Sequence, residues 1–178
     1  MKWKEYLNEF GFGKKLGIEL TNELPGNVPS TAYFDRYYGK NRWKALTVIS
    51  MAIGQGELGT TPLQMANMTA AIANRGYFYT PHIVKSIGID EPVDQRYLTK
   101  QVINIDSANF EEIILGLEDA VNGEAGATAR IAALKDIIVC GKTGTAQNPQ
   151  GKDHSVFIAF APRDDPKIAI AVYVENAG

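Results

Sequence analysis

Lys142, Thr143, Gly144 and Thr145 stand consecutively between two apolar stretches of the chain. The lysine ammonium and the two threonine hydroxyls can donate hydrogen bonds to a carboxylate, and bonds to a charged group are the stronger kind. Glycine has no side chain, so Gly144 lets a ligand backbone approach the strand closely. The run therefore predicts an edge strand that binds a ligand carrying a carboxylate.

An acyl-transfer site would also need an activated nucleophile. A serine with a lysine one helical turn later, in the spacing S-x-x-K, is one such arrangement. No serine in this sequence has a lysine three residues on; the serines are Ser30, Ser50, Ser86, Ser107 and Ser155. Ser107 and Asn109 fit the spacing S-x-N, but N-capping of a helix explains that serine. We therefore expect this sequence to carry only half of an active site, the ligand-binding strand without the nucleophile.

Two glycine-rich phosphate-binding motifs are alternatives. A P-loop ending in Gly141 and Lys142 fails, because its first glycine would fall on Asp136. Residues 54–59 do match G-x-G-x-x-G, follow an apolar run and precede a helix, as in a dinucleotide-binding fingerprint. The helix start signal comes only at Thr61, however, and no acidic residue lies near position 79, where a ribose partner would fall. A dinucleotide-binding module and a tight glycine turn both remain open here.

The composition is that of a folded protein, with 45% hydrophobic and 21% charged residues among 178. The net charge of −2 comes from acidic and basic residues mixed along the chain, which indicates neither nucleic acid nor an anionic membrane surface as a partner. Cys140, His82 and His154 are too sparse for a zinc site, and no cofactor is indicated. The longest apolar stretch, residues 45–53, is far shorter than the roughly 20 residues of a membrane-spanning helix.

The sequence predicts both the start and the end of one helix. Thr61, Pro62 and Gln64 predict a capping box with proline in the first turn. The helix should continue to about Asn74, and Gly76 should then adopt a left-handed conformation that ends it.

A second helix is predicted from Ser107 to just before Gly123. Its apolar side chains recur at helical spacing and should be buried; they are Phe110, Ile113, Ile114, Leu117 and Val121. Residues 2–10 predict a short amphipathic helix, whereas residues 11–42 are typical of loops.

After Asp136 the pattern changes to apolar runs typical of strands. Three antiparallel strands are predicted, at residues 137–146, 155–161 and 168–174. Their near-continuous apolar character predicts a sheet that is covered on both faces, with helices on each side. The fold class is therefore expected to be α/β in the broad sense, of the α+β type.

Longer motifs around the Lys142 run match a known family. The run extends through Ala146 and Gln147, and the motifs after it are Asp153-His154, Phe157-Ile158, Phe160-Ala161-Pro162 and Val174-Glu175-Asn176. Those before it are Phe10-Gly11-Phe12-Gly13, Gly17-Ile18-Glu19-Leu20, Leu24-Pro25, Pro29-Ser30, Ile53-Gly54-Gln55-Gly56 and Thr61-Pro62-Leu63-Gln64. In this order the motifs resemble the class B penicillin-binding proteins of the elongation type, penicillin-binding protein 2, over nearly the whole chain.

The resemblance implies the penicillin-binding or serine β-lactamase-like transpeptidase fold, with residues 1–178 as the C-terminal part of a single transpeptidase domain. The family's S-x-x-K serine, its S-x-N loop and its membrane anchor would all precede Met1. The intact protein would be held on the cytoplasmic membrane, act outside it and cooperate with membrane proteins of cell elongation. Its serine would attack the penultimate D-alanine of a peptidoglycan stem peptide, and β-lactams would mimic the D-Ala-D-Ala end.

The resemblance also implies a role for each residue of the run. Lys142 would attract the substrate carboxylate and support proton transfer, and the hydroxyls of Thr143 and Thr145 would bind the same carboxylate. The backbone N–H of Thr145 would be one donor of the oxyanion hole. Gly144 would keep the strand edge open, and Gln147 would line the cleft.

Without an S-x-x-K serine, these 178 residues are expected to be catalytically inert. Apolar faces left without a partner should also favour self-association of the chain. Two alternatives are a dinucleotide-binding module that uses Gly54, Gly56 and Gly59, and a non-catalytic peptidoglycan-binding domain that keeps only the Lys142 run.

Overall fold

The structure is a computed structural model that describes residues 2–88 and 93–178. Its α-helices are α1 (Lys2–Glu9), α2 (Thr31–Tyr38), α3 (Ala45–Ala52), α4 (Pro62–Ala73), α5 (Gln95–Leu98) and α6 (Ser107–Asn122). Its strands are β1 (Tyr77–Tyr79), β2 (Lys100–Val102), β3 (Cys140–Ala146), β4 (His154–Ala161) and β5 (Ile168–Val174). A 3₁₀ turn covers Arg130–Ala132. Across the described ranges, no helix has the length and apolar character needed to cross a membrane.

Helix α4 begins and ends as predicted. The Thr61 hydroxyl accepts from the Gln64 N–H at 3.2 Å, and the Gln64 side chain accepts from the Thr61 N–H at 3.0 Å, which completes the capping box. At the other end Gly76 has a φ of 109° and donates its N–H to the Ala71 carbonyl. This positive φ suits glycine, which has no Cβ to clash.

Gln64 also fixes the N-terminal segment to α4. Its side chain is buried, and Nε2 donates to the carbonyl oxygens of Gly11, Lys14 and Pro25 at 2.9–3.1 Å. One capping residue thus organises three separated points of a segment that has little regular structure of its own.

Helix α6 has the predicted extent, but two details differ from the prediction. Its N-cap is Asp106, whose carboxylate accepts from the Ala108 N–H at 2.9 Å, so Ser107 is the first helical residue and not the cap. Ile113 is 48% exposed, while the other four predicted core residues of the helix are buried. Those four form a stripe at spacings of four, three and four residues, and Ile113 lies beside it.

The prediction of loop across residues 11–42 is wrong at α2. The Ser30 hydroxyl caps this helix by accepting from the Tyr33 N–H, and Phe34 is fully buried. The Phe34 ring packs against Trp43 with 5.6 Å between centroids. Tertiary packing of one aromatic side chain therefore stabilises a helix whose own sequence gives a weak signal.

The strands β3, β4 and β5 form an antiparallel sheet in that order, which confirms the predicted connectivity. Strand β3 begins at Cys140, three residues later than predicted, and β4 begins one residue earlier, at His154. Strands β1 and β2 pair separately in a small antiparallel sheet.

The main core lies on one face of the larger sheet. Cys140 of β3 and Phe160 of β4 are paired in register and pack with Ile72 of α4 and with Phe110 and Ile114 of α6. Both long helices therefore pack on this face, and the end of α6 also reaches the opposite face through Val121.

On the opposite face the cover is partial. Val121, Ala129 and Val139 pack on Ala159 of β4, and the 3₁₀ turn contributes Ala132. Four alternate side chains of β5 are exposed; they are Ile168, Ile170, Val172 and Val174. In the part of the chain that the structure describes, this end of the sheet has an apolar face without a partner.

Candidate active site

The predicted site lies on the free edge of β3, since within residues 2–88 and 93–178 this strand pairs only with β4. The Thr145 carbonyl oxygen accepts a hydrogen bond from Gln55 and so points away from β4. In an antiparallel strand the C=O and N–H of one residue point to the same side. The Thr145 N–H therefore also faces the free edge, as do the backbone groups of Thr143 and Gln147.

The side chains of the run alternate between the two faces of the sheet. Lys142 and Gly144 share one face with Cys140, whereas Thr143 and Thr145 share the other. Lys142 is exposed, and its Nζ donates to the Thr143 carbonyl oxygen at 2.9 Å. The ammonium thus folds over the free edge, where it lies beside the Thr143 carbonyl.

The two glycines of this strand have different surroundings. A Cβ on Gly141 would lie 2.8 Å from the Ile158 carbonyl oxygen and 2.9 Å from the Phe157 ring. A Cβ on Gly144 would meet only the Cβ of Val156, at 3.6 Å, within the described residues. Internal packing therefore requires glycine at position 141, while Gly144 borders open space.

A groove of about 480 Å³ separates the end of β3 from the turn that follows α3. Its apolar wall includes Ile53, Leu58, Met65, Val156 and Tyr173. Gly144 and Thr145 form the β3 side of the groove. The site thus combines an open strand edge, a cation and an adjacent cleft.

The turn on the far side of the groove carries the glycine motif of residues 54–59. Gly54 and Gly56 both have positive φ angles, of 77° and 70°, which identifies a tight glycine turn. The apolar run before it is helix α3 and not a strand. A dinucleotide fingerprint requires a strand at that point, so the geometry does not support the dinucleotide-binding alternative.

Two residues that the sequence analysis did not select contact the predicted site. Gln55 donates from Nε2 to the Thr145 carbonyl at 2.9 Å, and its Oε1 accepts from the Gln147 N–H at 3.4 Å. The Thr143 hydroxyl donates to the Thr128 hydroxyl at 3.2 Å. Gln147 thus joins the site through its backbone, since its side chain is not among those that line the groove.

Cys140, at the start of β3, is the only thiol of the chain and does not supply a nucleophile. Its side chain is fully buried. Burial raises the pKa of the Cys140 thiol to about 11, and the nearby Glu118 carboxylate acts in the same direction. The reactive thiolate is therefore scarce at neutral pH.

Residues 1–178 match the protein family described as penicillin binding protein transpeptidase domain. The chain belongs to this family. It is 34% identical to the peptidoglycan D,D-transpeptidase MrdA of Haemophilus influenzae over 97% of this chain and 29% of that protein. This chain thus spans less than a third of the length of the relative.

Solved structures of the family have the same fold. Pseudomonas aeruginosa PBP2, in complex with WCK 5153, superimposes with a TM-score of 0.86 and 34% identity over 99% of this chain and 38% of the other. Helicobacter pylori PBP2, in a complex with MreC, gives a TM-score of 0.80 and 26% identity over 98% of this chain and 33% of the other. These matches confirm the mixed fold of helices and antiparallel sheet and the resemblance to penicillin-binding protein 2.

Proposed function

We propose that this chain forms the carboxylate-binding and oxyanion-stabilising part of a peptidoglycan D,D-transpeptidase site. The observation that carries the proposal is the direction of the Thr145 backbone, whose N–H faces the open edge of β3 above the groove. A backbone N–H held in that way can stabilise the negative oxygen that forms when an acyl group is attacked. Membership of the transpeptidase family and the similarity to MrdA support the same reaction class.

In this proposal each residue of the run acts at the edge of the strand. The Lys142 ammonium lies beside the Thr143 carbonyl and attracts the terminal carboxylate of the ligand. The hydroxyls of Thr143 and Thr145 share one face and complete the carboxylate site. Gly144 leaves the edge accessible, because even an added Cβ there would meet only the Cβ of Val156 among the described residues.

The acyl step needs a serine that this sequence does not provide at S-x-x-K spacing. In the proposed reaction the serine oxygen attacks the penultimate D-alanine carbonyl of a stem peptide and forms an ester, and the terminal D-alanine leaves as an amine that takes up a proton. An amine of a second peptide then attacks the ester and restores the serine. The 178 residues alone bind the substrate end and are catalytically inert.

The proposed ligands are stem peptides that end in D-Ala-D-Ala and the penicillins that mimic them. The MreC complex of the Helicobacter pylori protein supports membrane proteins of cell elongation as partners. A catalytic domain held at the outer side of the cytoplasmic membrane is part of the same proposal.

The test is to incubate penicillin with this chain and with the chain joined to a family segment that carries the S-x-x-K serine, and then to measure intact mass. We expect a stoichiometric adduct on the longer polypeptide alone. Lys142→Ala should slow the labelling of that polypeptide by at least tenfold, and the exposed Lys152→Ala should leave the rate unchanged. An adduct on the short chain, beyond scattered lysine acylation, would contradict the proposed division of the site.

A second measurement separates catalysis from binding. Titration of the 178-residue chain with a peptide ending in D-Ala-D-Ala should show weak binding that Lys142→Ala reduces. If peptide binds in this way but the serine-bearing polypeptide is never labelled, the chain belongs to a non-catalytic peptidoglycan-binding domain instead.

A further inference from the structure

The Gln55 side chain occupies hydrogen-bonding positions on the free edge of β3. Its Nε2 donates to the Thr145 carbonyl at 2.9 Å, and its Oε1 accepts from the Gln147 N–H at 3.4 Å. Gln55 lies 90 and 92 residues away from these partners in the sequence. A side-chain amide thus stands where a neighbouring strand would otherwise present its peptide groups.

The two backbone atoms that Gln55 contacts are those that an added strand would use. In a parallel ladder, one residue of the added strand bonds to the carbonyl of residue i−1 and to the N–H of residue i+1, here Thr145 and Gln147. In an antiparallel ladder, a residue opposite Thr145 would bond to both its carbonyl and its N–H. In both directions the ligand and the Gln55 amide compete for the Thr145 carbonyl.

Only the side chain of Gln55 needs to move to release the edge. Its backbone N–H donates to the Ser50 carbonyl at 2.9 Å, which ties the residue to the end of α3. On its other side, Asn27 pairs with Gly59 through two backbone hydrogen bonds of 2.7 and 2.9 Å and holds the end of the turn. The turn is thus fixed at both ends, while Gln55 is half-buried and lies next to Gly54, which lines the groove.

We propose that Gln55 is a positioning residue that caps the free edge of β3 in the unliganded protein and gives up its place at Thr145 and Gln147 to an extended peptide ligand. This inference rests on the proposed function, since it assumes that the peptide adds to this edge. Extended peptides commonly bind by adding a strand to an open sheet edge. The Gln55 side chain protects the edge from unspecific strand pairing. The peptide ligand replaces the two hydrogen bonds that the Gln55 side chain makes with Thr145 and Gln147.

The test measures the dissociation constant of a peptide ending in D-Ala-D-Ala for the chain and three variants. Gln55→Ala removes the competing amide, so we expect the peptide to bind roughly three- to tenfold more tightly. Gln150→Ala is the matched control, because Gln150 is exposed and its bond to Asn148 uses its backbone N–H. Lys142→Ala tests the site itself and should weaken binding.

The outcomes separate the two proposals. Unchanged or weaker binding by Gln55→Ala, together with weaker binding by Lys142→Ala, would overturn the role of Gln55 and leave the proposed function intact. Absence of binding, or binding that is insensitive to Lys142→Ala, would overturn both. A residue with a merely structural role would not tighten binding when it is removed.

A second readout needs no variant at Gln55. In ¹⁵N-resolved NMR spectra of the unmodified chain, the side-chain amide resonances of Gln55 should shift in proportion to peptide occupancy, and those of Gln150 should not. Gln55 resonances that stay in place while the Thr145 N–H shifts would show that the ligand binds without displacing the cap, and the inference would be wrong.

Discussion

The Thr143 hydroxyl donates to the Thr128 hydroxyl at 3.2 Å and thereby links the proposed carboxylate site to the segment that follows α6. Thr128 lies next to Ala129, which is buried against Val121 and Ala159. The buried neighbour anchors the backbone at Thr128, while the Thr128 side chain itself is exposed. The single O–H of Thr143 is thus committed to Thr128 in the unliganded chain, and Thr143 must give up this bond before it can donate to a ligand carboxylate.

Thr128→Val should tighten the binding of the D-Ala-D-Ala peptide about two- to tenfold, because it removes the acceptor that competes for the Thr143 O–H and keeps the side-chain shape. Isothermal titration calorimetry would measure the change. Thr21→Val, at an exposed position away from the site, is the matched control. Equal affinities of the two variants would argue against competition by Thr128 for the Thr143 hydroxyl.

The two glycines of β3 should respond differently to alanine. Gly141→Ala would place a Cβ 2.8 Å from the Ile158 carbonyl oxygen, so we expect it to destabilise the fold by about 1–3 kcal/mol. Gly144→Ala meets only ordinary contact and should be neutral or stabilising by about 0.4–1 kcal/mol, since alanine restricts the unfolded chain. Urea denaturation of both variants would measure the free energies.

The Gly141→Ala and Gly144→Ala variants also distinguish an effect on folding from an effect on ligand binding. Because Gly144 borders the groove, its alanine variant should fold normally and still bind peptide more weakly than the unmodified chain. Similar losses of stability in the two variants would contradict the different surroundings of Gly141 and Gly144 in the structure.

The elements that were predicted best are those whose signals, such as helix caps and apolar runs, lie within a short stretch of sequence. The capping box of α4 and the glycine after it are each short local signals at one end of the helix, so the sequence alone defines both ends. The apolar runs of β4 and β5 are as local, and their boundaries were predicted within one residue. Helix α2 was missed because its stability depends on the contact between Phe34 and Trp43, which sequence periodicity does not show.

The site was predictable in part for the same reason. Lys142, Thr143 and Thr145 are adjacent in sequence and can be recognised together. Gln55 and Thr128 reach them only through the fold, since they lie far away along the chain and carry no local signal for that contact. The nearest clue was the position of Gln55 between two glycines, which marks a tight turn but not the strand beside it.

Gln64 should be among the most sensitive positions of the fold. Gln64→Leu would leave the carbonyls of Gly11, Lys14 and Pro25 without their buried donor and would also remove half of the capping box. A buried polar group without a partner costs about 1–3 kcal/mol, so we expect a loss of at least that size. Chemical denaturation would measure it, with Gln101→Leu on exposed β2 as the control. Equal effects of the two substitutions would contradict the role of Gln64 as an anchor.

Alkaline pH should destabilise the fold through Cys140. The pKa of this thiol is raised to about 11 in the folded chain and is about 8.5 when unfolded. The folded state therefore keeps a proton that the unfolded state loses, and stability falls as pH rises from about 8.5 to about 11, by at most about 1.4 kcal/mol per pH unit. Urea unfolding between pH 8 and 10.5 should show a steeper decline for the unmodified chain than for Cys140→Ala, and parallel pH profiles would contradict the assignment.

The exposed face of β5 should make the chain self-associate. Ile168, Ile170, Val172 and Val174 point to the same side, and each is at least 38% exposed. A contiguous row of β-branched side chains on an edge strand favours association between copies. Light scattering after size exclusion should therefore show dimers or larger species at high concentration, and Val172→Lys should shift them towards monomer. Ile113→Lys is the control, because Ile113 is also exposed but lies on α6. This variant should leave the distribution of monomers and oligomers unchanged. A clean monomer of the unmodified chain at high concentration would rule out this interface.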